Sequence, residues 1–283
     1  MITITPIENH REREKGVIVY PVYSRRSGGL SVGINLFPDK KSCPFDCPYC
    51  EVFPFATNAI FSLEQMEFDL RNTISSALEQ KTPIKDICFS GNGEPSLSAV
   101  LPQALELAGK IRAEIADEAQ IVLITNGAGL LQPQIFSLLK TAATTPLALN
   151  IWLKLDAGTQ DWYEKINRTS VSFEKLIAKI KEFVSCTPVT IQTMLCAVDG
   201  NSPPPQEEKA WVQLMVDIAS NVTENSQAAG GIRKVQLYGK ARPSPEDPKT
   251  SPLPPQYLEE RAASLRKALS SAVSAPPPVE VYI

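Results

Sequence analysis

Three cysteines stand close together in the stretch Lys41-Ser42-Cys43-Pro44-Phe45-Asp46-Cys47-Pro48-Tyr49-Cys50, three residues separating the first pair and two the second. Thiolates gathered by so short a loop favour soft-metal centres, an iron–sulfur cluster or zinc, over hard cations. Three sulfurs leave a tetrahedral iron or zinc one ligand short, and a vacant coordination position is where a metal does chemistry. Burial as apolar residues explains lone cysteines but poorly explains three on one proline-bearing loop. A zinc knuckle would need a fourth ligand. The single histidine, His10, is remote in sequence, and there is no second Cys-x-x-Cys.

Other groups with chemical potential follow apolar runs. Ser90-Gly91-Asn92-Gly93-Glu94-Pro95 closes one such run. Gly91 and Gly93 let backbone approach a ligand closely, and Glu94 can accept from an ammonium group; a plain tight loop is the simpler reading. In Ile151-Trp152-Leu153-Lys154-Leu155-Asp156-Ala157-Gly158, alternation puts Trp152, Lys154 and Asp156 on one face. A strand buried on both faces carries Lys and Asp only if they pair or bind something. They form a buried ion pair, or Lys154 meets a ligand carboxylate while Asp156 meets a hydroxyl or that lysine. Gln192 is the bulkiest polar group of its run, either a satisfied core amide or a ligand contact. Thr125-Asn126-Gly127 reads as a strand-end turn, with Gly127 supplying positive φ. Tyr238-Gly239-Lys240-Ala241-Arg242 offers exposed backbone after another run, whereas Cys88, Cys186 and Cys196 have the irregular spacing of core cysteines.

The elements that must position these groups alternate. Strands are expected at Ser31–Phe37, Asp86–Ser90, Ile121–Thr125, Leu149–Leu155, Val189–Leu195 and Lys234–Tyr238, with a short terminal strand at Val279–Ile283. Between them lie helices: one opened by Ser62 with Gln65 in a capping box and an apolar face of Met66, Leu70, Ile74, Ala77 and Leu78, and one carrying Leu101, Leu105, Ala108, Ile111 and Ile115. Others begin near Pro133 or run over Ser172–Val184, Glu207–Val222 and Tyr257–Leu269. Such alternation requires a parallel sheet with right-handed crossovers, and chemistry gathers at the carboxyl ends of its strands. The six units suggest an α/β fold, a partial (β/α)6 TIM-like barrel, with a doubly wound open sheet as the alternative. One domain over residues 1–283 is expected, its core at about 20–245 and a C-terminal helix and tail at 246–283.

Composition narrows the setting. The chain has 283 residues, 43% of them hydrophobic, enough for a sizeable core. No apolar run is long enough to span a membrane, and the first residues lack the apolar core of a secretory signal, so a cytoplasmic protein with reduced thiols is expected. The net charge of −3 hides a basic segment: residues 11–41 carry seven Lys or Arg against three acids. That segment is a solvated face or a docking site for phosphate or an acidic electron donor.

Taken in order, Ser24-Arg25-Arg26, Gly33-Ile34-Asn35, the cysteines, the 90–95 motif, Lys154-Leu155-Asp156-Ala157-Gly158 and Ile166-Asn167-Arg168 resemble radical S-adenosylmethionine (SAM) proteins. The branch is that similar to the wyosine-type tRNA-modifying iron–sulfur oxidoreductases. The resemblance implies a partial (β/α)6 barrel in which Cys43, Cys47 and Cys50 bind a [4Fe–4S] cluster and SAM chelates the remaining iron. It implies reductive cleavage of SAM to a 5′-deoxyadenosyl radical, with electrons from a low-potential donor, flavodoxin or ferredoxin. Tyr49, Gly91, Gly93, Glu94, Asn126, Lys154, Asp156 and Gln192 would then contact SAM. The wyosine enzymes carry a second cluster on upstream cysteines, and no cysteine precedes Cys43 here, which leaves the substrate open among RNA, peptide and small molecule. The competing class is a zinc-stabilised structural or RNA-docking module without turnover.

Overall fold

The computed structural model describes residues 15–221 and 230–283; His10, Arg11, Arg13 and the expected helix end at Val222 lie outside them. The chain divides into two compact units interleaved in sequence.

The first unit takes the chain up to Cys43 with Val52–Thr125 and Thr141–Asn150. Strands β1 (Val19–Ser24) and β2 (Gly29–Ile34) form an antiparallel hairpin, followed by helix α1 (Leu63–Glu79), β3 (Ile84–Phe89), α2 (Leu101–Ile115) and β4 (Gln120–Thr125). β3 pairs in parallel with both β2 and β4. The sequence pattern did not reveal β1, because Pro21 interrupts it; a proline is tolerated only where a strand needs no donor, as on a sheet edge. The expected capping box of α1 is half formed. The Ser62 hydroxyl accepts the Gln65 N–H at 3.3 Å, but the Gln65 amide turns to Asp69 at 2.9 Å instead of reaching back. Met66, Leu70, Ile74 and Ala77 are buried as their spacing requires, whereas Leu78, expected on that face, is 50% exposed. Helix α3 (Pro133–Thr144) starts at the expected proline.

The second unit comprises Pro44–Glu51, Asn126–Lys140 and Ile151–Ile283. Its elements are β5 (Asn150–Lys154), α4 (Gln160–Ile166), α5 (Phe173–Cys186), β6 (Pro188–Val198), α6 (Pro205–Ser220), β7 (Gly231–Gly239), β8 (Thr250–Pro252), α7 (Pro255–Ala272) and β9 (Val279–Tyr282). β5, β6, β7 and β9 lie side by side in parallel, and β8 pairs antiparallel with the end of β6. The register aligns Lys154, Gln192, Gln236 and Glu280 in one layer across the four strands. α4 and β8 escaped the sequence reading because each is too short to show a period. Thr159 caps α4 by accepting the Trp162 N–H at 3.3 Å. Among the described residues, no helix is long and apolar enough to cross a membrane.

α1 offers a clean contrast between two neighbours. Leu70→Ala, at a fully buried position, should destabilise the chain by about 2–5 kcal/mol in urea unfolding. Phe68→Ala, 63% exposed, should change stability by no more than about 0.5 kcal/mol.

Candidate functional site

The cysteine loop crosses the division between the units: Cys43 belongs to the first, Cys47 and Cys50 to the second. All three are half-buried, and none is in a disulfide. A turn bond from the Cys50 N–H to the Cys47 carbonyl, 3.0 Å, sets the last two cysteines. Among the described residues no three His, Cys, Asp or Glu side chains are gathered closely enough to hold a metal ion. The loop supplies a set of sulfur donors. As chemistry it fits an iron–sulfur cluster: three reduced sulfurs, no carboxylate among them, and one coordination position left over.

Within the second unit the loop is fastened by residues distant in sequence. After α4, Asn167 accepts the Asp46 N–H on its carbonyl at 3.0 Å. Its side-chain amide donates to the Cys47 sulfur at 3.4 Å. The Arg168 guanidinium pairs with Asp46 at 2.9 Å and with Glu246, and the Thr169 hydroxyl donates to the Pro44 carbonyl at 2.7 Å. From the other side, Arg242 pairs with Glu51 at 3.2 Å and the Thr250 hydroxyl donates to the Pro48 carbonyl at 3.3 Å. Burial first, then the neighbouring Asp156 charge, pushes the Cys47 thiol up to about 11, with the Asn167 bond opposing. A metal would displace that proton.

Asp156 is the hub of the same unit. Lys154 Nζ donates to its Oδ1 at 2.9 Å, as does the Met194 backbone N–H at 2.9 Å. Its Oδ2 accepts from the Tyr49 hydroxyl and from Asn167 Nδ2 at 3.2 Å. Lys154 also bonds the Tyr238 hydroxyl and lies 5.0 Å from the centroid of the Tyr49 ring. Burial works against the Lys154 charge, but Asp156 and Tyr238 outweigh it and hold its pKa above the usual lysine value. The Tyr49 phenol is raised by burial and by the Asp156 charge, so it stays protonated and donates. In the same layer as Lys154, Gln192 donates to Gln236 at 2.7 Å, and both are fully buried. The pairing of Lys154 with Asp156 is thus present, and Tyr49 joins it. Gln192 has Gln236 as an amide partner. Asn167 and Arg168 enter the sequence reading only within the Ile166-Asn167-Arg168 motif and Tyr238 only by its backbone, while Glu246 does not enter it. Tyr238 was legible in principle, since it shares the strand phase of Gln236.

In the first unit the 90–95 motif receives the residue before Cys43. Ser42 donates its N–H to the Asn92 carbonyl at 2.9 Å and accepts the Glu94 N–H at 2.8 Å. A Cβ on Gly93 would sit 2.0 Å from the Ser42 carbonyl oxygen, so the glycine is demanded by chain against chain. Asn35, fully buried, accepts the Asn92 N–H at 3.2 Å, and Gly91 lies against its side chain. Glu94 is 2% exposed, and its Oε1 accepts from the Ser96 N–H at 3.0 Å and from the Ser96 and Thr125 hydroxyls, each at 2.6 Å. In the second unit Asn126 accepts the Ala128 N–H at 2.9 Å, while Gly127 adopts φ 81°, the turn its sequence suggested.

No protein-family model matches the chain. It is similar to UPF0026 proteins. One from Helicobacter pylori (strain ATCC 700392 / 26695) is 34% identical over 135 residues, covering 45% of this chain and 41% of that protein. UPF0026 protein slr1464 of Synechocystis is 28% identical over 186 residues, covering 62% and 63%. The chain thus matches about two fifths of the length of the first relative. Among solved structures, a radical SAM methyltransferase from Sphaerobacter thermophilus aligns over 93% of this chain and 68% of its own, at 16% identity and a TM-score of 0.61. Native anSMEcpe with bound AdoMet aligns over 88% and 63%, at 14% identity and a TM-score of 0.53. The fold is α/β, a partial (β/α)6 TIM-like barrel, the fold these two radical SAM enzymes share.

Asp156→Ala should cost roughly 3–5 kcal/mol in denaturant unfolding, because it strands the buried Lys154 charge. Gly93→Ala should cost about 1–3 kcal/mol by driving Ser42 away.

Proposed function

We propose that the chain is an iron–sulfur oxidoreductase of the radical SAM type, acting in the cytoplasm with electrons from flavodoxin or ferredoxin. Cys43, Cys47 and Cys50 would hold the [4Fe–4S] cluster, and the bound cluster with SAM supplies reductive SAM cleavage for hydrogen abstraction. The observation that carries this reading is a loop of three reduced thiols in a chain with this fold.

The chain's own residues would do the rest. Lys154 uses two of its three N–H donors on Asp156 and Tyr238, so the third can take the SAM carboxylate. Asp156 keeps that lysine charged and Tyr49 fixed. Glu94, its Oε1 anchored by three donors, offers a buried negative charge for the SAM ammonium. Gly91 and Gly93 would meet SAM through their backbone atoms alone. Asn126 and Gln192 would complete the SAM contacts. The resemblance to wyosine-type enzymes makes RNA the first substrate to test, before peptides and small molecules.

After anaerobic reconstitution the chain should contain about four irons with matching acid-labile sulfide and yield 5′-deoxyadenosine from SAM under dithionite. Cys47→Ala should lose both iron and turnover. Zinc without sulfide would establish the binding-module alternative, and iron with turnover in Cys47→Ala would overturn the assignment.

A further inference from the structure

The side-chain amide of Asn167 is aimed at the thiol the proposed function assigns to iron. Asn167 is 4% exposed and terminates α4, its N–H held by the Tyr163 carbonyl at 2.9 Å. Its carbonyl receives the Asp46 N–H, so backbone and side chain together grip the residues around Cys47. Asp156 fixes which way the amide points. A carboxylate only accepts, so the atom 3.2 Å from Asp156 Oδ2 must be the nitrogen, and the same nitrogen lies 3.4 Å from the Cys47 sulfur. Arg168 and Thr169 clamp the flanking backbone to Asp46 and Pro44, which denies the amide freedom to swing away.

Resting on the proposed function, we infer that Asn167 is a positioning residue that tunes the electron affinity of the centre through its N–H···S bond to Cys47. Hydrogen bonds to cluster sulfurs set reduction potential, because they stabilise the charge that thiolate gains on reduction. One electron enters from the external donor, no proton is taken up, and the amide hydrogen stays on nitrogen. Asn167 therefore makes the reduction easier, and Asp156 aims it by occupying its other N–H.

The test is a redox titration of reconstituted wild type, Asn167→Leu and Asn167→Asp, followed by electron paramagnetic resonance. Loss of the donor should lower the reduction equilibrium constant about tenfold in Asn167→Leu, ~59 mV for one electron. Asn167→Asp should lower it further, since a carboxylate oxygen then faces the sulfur. A loaded variant titrating like wild type would overturn the inference. So would loss of iron from both variants with unchanged far-UV circular dichroism, which would make Asn167 a capture residue. Resonance Raman on the wild-type holoprotein needs no variant: transfer to D2O should move a cysteinyl Fe–S stretch, and an unmoved spectrum would overturn the bond. A wild-type chain that takes up no iron and sulfide would instead overturn the proposed function itself.

Discussion

A carboxylate buried at the end of a parallel strand has to be met by donors, and Asp156 is met by four. Lys154, the Met194 backbone, Tyr49 and Asn167 come from β5, β6, the cysteine loop and the end of α4. Removing a charged group from water costs several kcal/mol unless it is paired and hydrogen-bonded, so each donor is held by the penalty of leaving Asp156 unmet. The arrangement explains why Tyr49 sits where it does: its ring lies beside a lysine that Asp156 keeps charged. It also explains how one strand end can govern the orientation of a loop more than a hundred residues away in sequence.

The two units bind their portions of the cysteine loop by different means. In the first, backbone grips backbone: Ser42 forms a bridge with Gly93, and only a residue without a side chain allows that approach. In the second, charged and hydroxyl side chains from two later segments reach the loop carbonyls and Asp46, and Arg242 pairs with Glu51. Backbone pairing sets position with little tolerance, whereas long side chains permit small adjustments.

Much of the fold was legible because apolar spacing reports secondary structure locally. Ser62 caps its helix where expected, the helix expected from Ser172 begins with that residue as its cap, and the alternation at 151–156 puts Lys154 and Asp156 on one face. β1 was hidden by Pro21, and α4, at seven residues, was too short for a period to emerge. The partners of the site were less readable. Asn167 and Cys47 are 120 residues apart, and nothing in either local pattern announces the other. The 90–95 motif reads either as a tight loop or as a place where a ligand approaches backbone. The structure shows Ser42 making that approach, because a close-packed chain and a ligand place the same demand on a glycine.

The fasteners of the cysteine loop have an order in time as well as in space. Synthesis runs from the N-terminus, so Cys43, Cys47 and Cys50 leave the ribosome long before Arg168, Arg242 and Thr250 exist. For that interval the thiols hang on an unsecured strand of nascent polypeptide, exposed to oxidants and stray metal ions. The loop is fully secured only once Thr250 has been made, when Arg168, Arg242 and Thr250 can all reach it.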